Sequence, residues 1–173
     1  DDEIAMLTLV RENYKKVVLL LNVGNIIDMT DINRIAPDSV LYVWQGGMTG
    51  GKGTADVLTG KVSPSGKLPD TIAYKASDYP SDANFGREKN RDIYAEDIYV
   101  GYRYFETFAK EKVLYPFGFG LSYTEFEIKT EKAEITEGAV KLSVSVKNIG
   151  SYKGKEVIEV YCEAPQGRLG KAA

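Results

Sequence analysis

Between its first and last thirds this chain changes its hydrophobic period. Residues 17–24, VVLLLNVG, form an almost unbroken apolar run. Residues 139–150, AVKLSVSVKNIG, alternate apolar with polar. A short continuous run bounded by turn residues suits a strand covered on both faces, as in a parallel sheet. Strict alternation suits a half-buried antiparallel strand, with one face packed and one wet. The two textures predict two units of different architecture on one chain.

The first unit reads as α/β. Residues 3–16, EIAMLTLVRENYKK, place Ile4, Leu7, Val10 and Tyr14 on one helical face, with acids leading and lysines closing. The run 17–24 follows as a buried strand, then DMTDINRIAP (28–37) as a short helix ended by Pro37, then SVLYVWQG (39–46) as a second buried strand. A glycine-rich turn, GGMTGGKGTADVLTG (46–60), leads into a helix that Gly60 stops. Strands that alternate with helices predict a parallel sheet. After residue 62 the chain turns through VSPSGKLPD, and residues 75–97 are polar and irregular. VGYRYFETF (100–108) reads as a strand.

The second unit reads as antiparallel β. Val140, Leu142, Val144 and Val146 share one face, and Lys141, Ser143, Ser145 and Lys147 the other. YTEFEIKTEKAEI precedes this stripe and KGKEVIEVYCEAP (153–165) follows it, giving about three strands where a β-sandwich needs about seven. An open sheet edge and a bare apolar face predict that the last fifty or so residues are mobile or pair with a second chain, as in a homodimer through exposed strands. Between the units lies LYPFGFGLSYTEF (114–126), whose aromatics suit the seam of two packed units and whose glycines allow tight backbone paths.

Several classes of chemistry are excluded or disfavoured. The chain has no histidine, which rules out Ser-His-Asp, Cys-His and histidine-zinc chemistry within it. Its one cysteine, Cys162, leaves no partner for an internal disulfide and reads as a buried or half-buried structural thiol. A net charge of −3 gives no basic footprint for nucleic acid, and the longest apolar run is far short of a membrane span. The acidic start, DDEIAML, is not a secretory signal, and with the lone cysteine it leans to the cytoplasm.

Three features remain as candidates. GGMTGGKGT aligns Gly46, Gly51 and Lys52 with a phosphate-binding loop, but Gly53 stands where the magnesium-binding hydroxyl belongs and Thr54 falls one place late. A tight structural turn fits it better. RDIYAEDIYVGYRYFE (91–106) offers Asp92, Glu96, Asp97 and Glu106 as carboxylates of the kind glycoside hydrolysis pairs, and spacing selects no pair. Trp44 ends a buried parallel strand and Gln45 follows it, at the carboxyl end where open α/β sheets gather ligands.

The stretches VVLLLNVGNIIDM, WQGGMTGGKGTADVLTGKVSPSGKLPDTIA, EDIYVGYRYFE, LYPFGFGLSYTEFEI and VSVKNIGSYKGKEVIEVY occur in that order. Together they resemble glycoside hydrolase family 3, the β-glucosidase family. The resemblance implies a (β/α)8 barrel joined to an α/β sandwich domain and a fibronectin type III-like domain. Residues 1–120 would be the C-terminal part of the α/β sandwich with its connecting segment, and residues 121–173 a truncated fibronectin-like domain. It implies a retaining mechanism with a nucleophilic Asp and an acid/base Glu, both expected outside this chain, and no cofactor or metal. An oligosaccharide or β-glucoside would be the substrate of the full enzyme. Trp44, Gln45, Tyr94 and Glu96 would lie beside it, and the isolated chain would be inactive. The alternative is a non-catalytic carbohydrate-binding or domain-packing module.

Overall fold

A computed structural model describes residues 2–167. Residue 1 and residues 168–173, on which the outer bounds of the two expected units fall, lie outside the described residues. The order is α1 (Asp2–Asn13), β1 (Val18–Leu21), α2 (Thr30–Ile35), β2 (Ser39–Tyr42), α3 (Gly50–Leu58), β3 (Ile72–Ala73), α4 (Tyr102–Phe108), β4 (Val113–Tyr115), β5 (Phe126–Thr136) and β6 (Ala139–Asn148). Short 3₁₀ turns lie between β3 and α4 and before β4.

β1 and β2 pair in parallel, Val18 with Ser39 through Leu21 with Tyr42, and α2 makes the crossover that parallel strands require. Asp38 ties the two strand starts together. Its carboxylate accepts from the Val17 N–H at 2.8 Å and from Arg11 at 2.9 Å. The Val17 bond, chiefly, holds this carboxyl below the usual range. In α1 the spacing of Ile4, Leu7 and Val10 does what it predicts, packing that face against Val17 and Ile35. Tyr14 lies beyond the helix and is exposed.

The main core gathers Leu21, Met29, Ile32 and Ile72, flanked by Val40, Leu114 and others. β3 and β4 pair antiparallel beside it. Met29 and Ile72 are fully buried, each worth about 1.5–3 kcal/mol of transfer free energy. Tyr79 locks the start of β3. Its hydroxyl donates to the Thr71 carbonyl at 3.0 Å and accepts from the Ala73 N–H at 2.9 Å. Burial pushes its phenol above the ordinary value.

Four expectations are corrected. Residues 102–108 form a helix, not a strand. Phe105 and Ala109 recur at helical spacing, and Phe105 anchors the turn with its ring edge-on to Tyr79 at 5.4 Å. This buried contact overrides the β preference of the aromatics. β1 is not covered on both faces, because Val18 and Leu20 are 52% and 41% exposed while Leu21 points into the core. Among the described residues, the helices cover one side of it. Residues 153–165 form no strand, since no described strand pairs with them; Lys155 and Glu156 are held by Ser65 and Lys67. Cys162, within that segment, is exposed.

β5 and β6 form an antiparallel hairpin closed by Glu137 and Gly138, the latter at φ 80°. Its register shifts between Thr130 and Lys132. Before the shift Ile128 and Thr130 oppose Val146 and Val144; after it Ala133 and Ile135 oppose Leu142 and Val140. The extra residue, Glu131, therefore keeps the apolar set on one face where an unbroken ladder would flip it. That face stays open, with Ile135 86% and Val140 63% exposed.

Candidate functional site

The loops that leave the carboxyl ends of β1 and β2 lie side by side. After β2, Trp44 adopts φ 56°, a left-handed conformation that is uncommon for a bulky side chain. Such backbone gathers at functional positions because the surrounding structure must hold it there. The half-buried Trp44 ring leans on Tyr42, centroids 4.9 Å apart. Gln45, exposed, lays its amide over Gly24 in the loop after β1; a Cβ at Gly24 would sit 3.0 Å from Gln45 Nε2. Glycine is what lets the two loops approach.

Beyond them the chain runs through Gly46 and Gly47 into α3. Gly46 comes so close to Gly50 that a Cβ on it would meet the Gly50 Cα at 2.7 Å. Below this turn lies a cavity of about 230 Å³, lined by Leu41, Tyr42, Gly46, Gly50, Thr54 and Val57. The nucleotide motif is not assembled. Lys52 pairs with Asp56 at 2.7 Å, and the Thr54 hydroxyl donates to the Gly50 carbonyl at 3.0 Å. Both side chains that a phosphate would need serve the helix instead.

The chemistry of this edge follows from what it carries. Residues 22–27, NVGNII, and 43–49, VWQGGMT, contain no ionisable side chain. The edge therefore cannot donate or take a proton by itself. It offers an indole ring and the amides of Asn22, Asn25 and Gln45, each both donor and acceptor. A ring to lie against and amides to pair with hydroxyls suit a neutral, polyhydroxylated ligand.

Tyr94 and Glu96 stand on the separate loop 84–100. Tyr94 is 86% exposed and Glu96 half-buried, and their backbone carbonyls accept from the Asp97 and Tyr99 N–H groups of that loop. Gln45 thus reaches across to the loop after β1 and Trp44 leans on Tyr42 of its own strand, whereas Tyr94 and Glu96 have contacts within their own loop. Of the other acids, Asp92 and Asp97 are exposed, and Glu106 pairs with Lys110 at 2.9 Å. Among the described residues no three metal-ligating side chains cluster, and no helix is long and apolar enough to cross a membrane.

Asp28 and Tyr42 were not singled out by sequence. The Asp28 carboxylate accepts from the Ala76 N–H at 2.7 Å and the Thr30 N–H at 2.8 Å, tying the loop after β1 to the segment after β3. These bonds, Ala76 first, hold its carboxyl below the usual value. Asp two residues before a helical Thr was the available signal.

Comparison with known proteins identifies the family. The family model of the glycosyl hydrolase family 3 C-terminal domain matches residues 1–123. All 173 residues align with a beta-glucosidase of Ruminococcus albus at 64% identity, covering 18% of that protein. Beta-glucosidase A of Butyrivibrio fibrisolvens is 47% identical over 97% of this chain and 22% of its own length. The crystal structure of a beta-glucosidase from Paenibacillus barengoltzii superposes with a TM-score of 0.80 at 50% identity, over 87% of this chain and 17% of that one. Beta-glucosidase 3B of Thermotoga neapolitana, in complex with glucose, gives 0.76 at 39%, over 87% and 22%. The chain thus spans about a fifth of the proteins it matches. On this sequence and structural agreement, the chain belongs to glycosyl hydrolase family 3, the model of whose C-terminal domain its residues 1–123 match.

Proposed function

We propose that this chain is part of a retaining, β-glucosidase-type glycoside hydrolase that cleaves terminal β-linked glycosides of oligosaccharides or aryl glycosides. The observation that carries the reading is the 64% identity, along the whole chain, with a beta-glucosidase. The uncharged ring-and-amide edge at Trp44 and Gln45 supports it, because it suits a sugar. Residues 1–120 act as the α/β sandwich part and residues 121–173 as the start of a fibronectin-like domain. A (β/α)8 barrel of the same protein completes the site.

In a retaining hydrolysis a carboxylate attacks the anomeric carbon while a second carboxyl protonates the leaving oxygen, and the second then takes a proton from water. The edge described here has no group for either step. Its role is to bind and orient. Trp44 lays its ring beneath the sugar, the Gln45 amide pairs with a hydroxyl, and Tyr94 and Glu96 border the same ligand.

The test uses the whole protein. With an aryl β-glucoside, the first sugar released is the β-anomer by NMR; the α-anomer would rule out retention. Trp44→Ala raises KM about tenfold, the loss of roughly 1.4 kcal/mol of ring contact. Unchanged KM in both Trp44→Ala and Gln45→Ala would remove these residues from the sugar site.

A further inference from the structure

Residues 155–161 lie across the joint between the two units, and the contacts they make there follow a pattern. Lys67 reaches its ammonium to the Gly120 carbonyl at 2.8 Å and to the Glu156 carboxylate at 2.9 Å. The side chains of this pair are 17% and 15% exposed, unlike such surface pairs as Lys110–Glu106 at 70% and 45%. One residue earlier, the Lys155 N–H donates to the Ser65 hydroxyl at 3.0 Å. Three residues on, the Glu159 carboxylate fills the space that a Cβ at Gly118 would need, and Gly118 has φ 77°. The Tyr161 ring then meets Tyr102 edge-on at 5.7 Å, and Tyr102 in turn leans on Phe117 at 5.1 Å.

The receiving surface is itself cross-braced. The Leu68 N–H donates to the Phe119 carbonyl and the Gly118 N–H to the Leu68 carbonyl, so residues 63–68 and 116–124 are tied into one platform. Ser63 and Ser122 add a hydroxyl pair at 2.8 Å. Gly120 backs onto the Gly66 carbonyl so closely that a side chain there has no room.

We propose that this platform is a docking surface for an acidic, extended segment, occupied by residues 155–161 of the same chain, with Lys67 as its anchor. The surface reads a spaced pattern: an acid for Lys67, a second acid three residues later for the Gly118 turn, and an aromatic two residues beyond. Val157 and Val160 are not part of this pattern; they are 48% and 65% exposed. Selection is therefore by charge and backbone shape rather than by apolar burial. The joint is a latch that fixes the second unit on the first, and the PFGFG glycines serve close approach rather than swivelling.

Amide hydrogen exchange on the full 173-residue chain tests this, with emission of Trp44, the single tryptophan, reporting on the first unit. In Lys67→Met, exchange in 153–161 speeds about tenfold or more, whereas residues 17–43 and Trp44 emission stay as they were. Glu156→Gln gives the same local release, and the double variant is no worse than either single, as expected of one shared contact. Glu159→Ala, a change on the docked segment alone, releases it without touching the core. Three results would overturn the proposal: unchanged exchange in 153–161 in all of these variants; equal acceleration in 17–43, which is loss of global stability only; or protection that disappears on dilution, which would place the docked segment in a second copy.

Discussion

The unit built on β1–β4 and the hairpin of β5 and β6 follow the same rules of patterning with opposite results. In the first, apolar residues from α1, α2, β1 and β3 meet, and Met29, Ile72 and Phe105 lose essentially all contact with water. In the second, register, bulge and turn keep the large apolar residues on one face, yet that face remains open. Patterning decides which side of an element is apolar. Only a second layer turns that side into stability. A hairpin by itself is marginal in water, so its order here comes from its own ladder and from the latch at the joint.

The comparison breaks most visibly under truncation. Phe105→Ala costs about 3–5 kcal/mol by urea denaturation, because the cavity it leaves lies between Tyr79 and Ala109. Leu142→Ala in the hairpin costs less than about 1 kcal/mol, since little is buried there to lose. Equal losses would mean that the hairpin face is covered. Next in size is Tyr79→Phe, which costs about 1–3 kcal/mol by stranding the Ala73 N–H in the interior.

A smaller effect of opposite sign follows from Thr71, whose hydroxyl is buried with no hydrogen-bond partner among the described residues. Thr71→Val raises stability by about 1 kcal/mol, read as a shift in thermal midpoint. The smallest effect is on acid unfolding. Asp28 has a folded carboxyl below its unfolded value of about 3.9, so its contribution is present above that pH and is lost as pH falls through the lower folded value. Asp28→Asn therefore gives a shallower loss of stability below about pH 4, while the wild-type chain falls more steeply.

What the sequence made legible divides along the same line. β1 and β2 could be read because their apolar runs do not alternate, and β6 because its run does. α4 was misread because YRYFETF fits both periods: its alternate positions suit a strand, while Phe105 and Ala109 suit a helix. Burial against Tyr79, a contact distant in sequence, decides between them. The segment 153–165 has the alternation of a strand, but no described strand pairs with it. At the candidate site the position after β2 pointed to Trp44 and Gln45. The left-handed backbone of Trp44 had no residue-type signal, because tryptophan does not favour it. The contact of Gln45 with Gly24 depends on how two loops approach, which no single stretch encodes.

Under the proposed function this chain binds and positions the sugar but supplies no catalytic carboxyl of its own. The most direct test is release of nitrophenol from an aryl β-glucoside by the pure 173-residue chain, with the whole protein measured alongside. The predicted result is turnover by the whole protein and none above buffer by the chain. Turnover by the chain, removed by substituting one of its own acids, would contradict the claim and place the chemistry among Asp92, Glu96, Asp97 and Glu106.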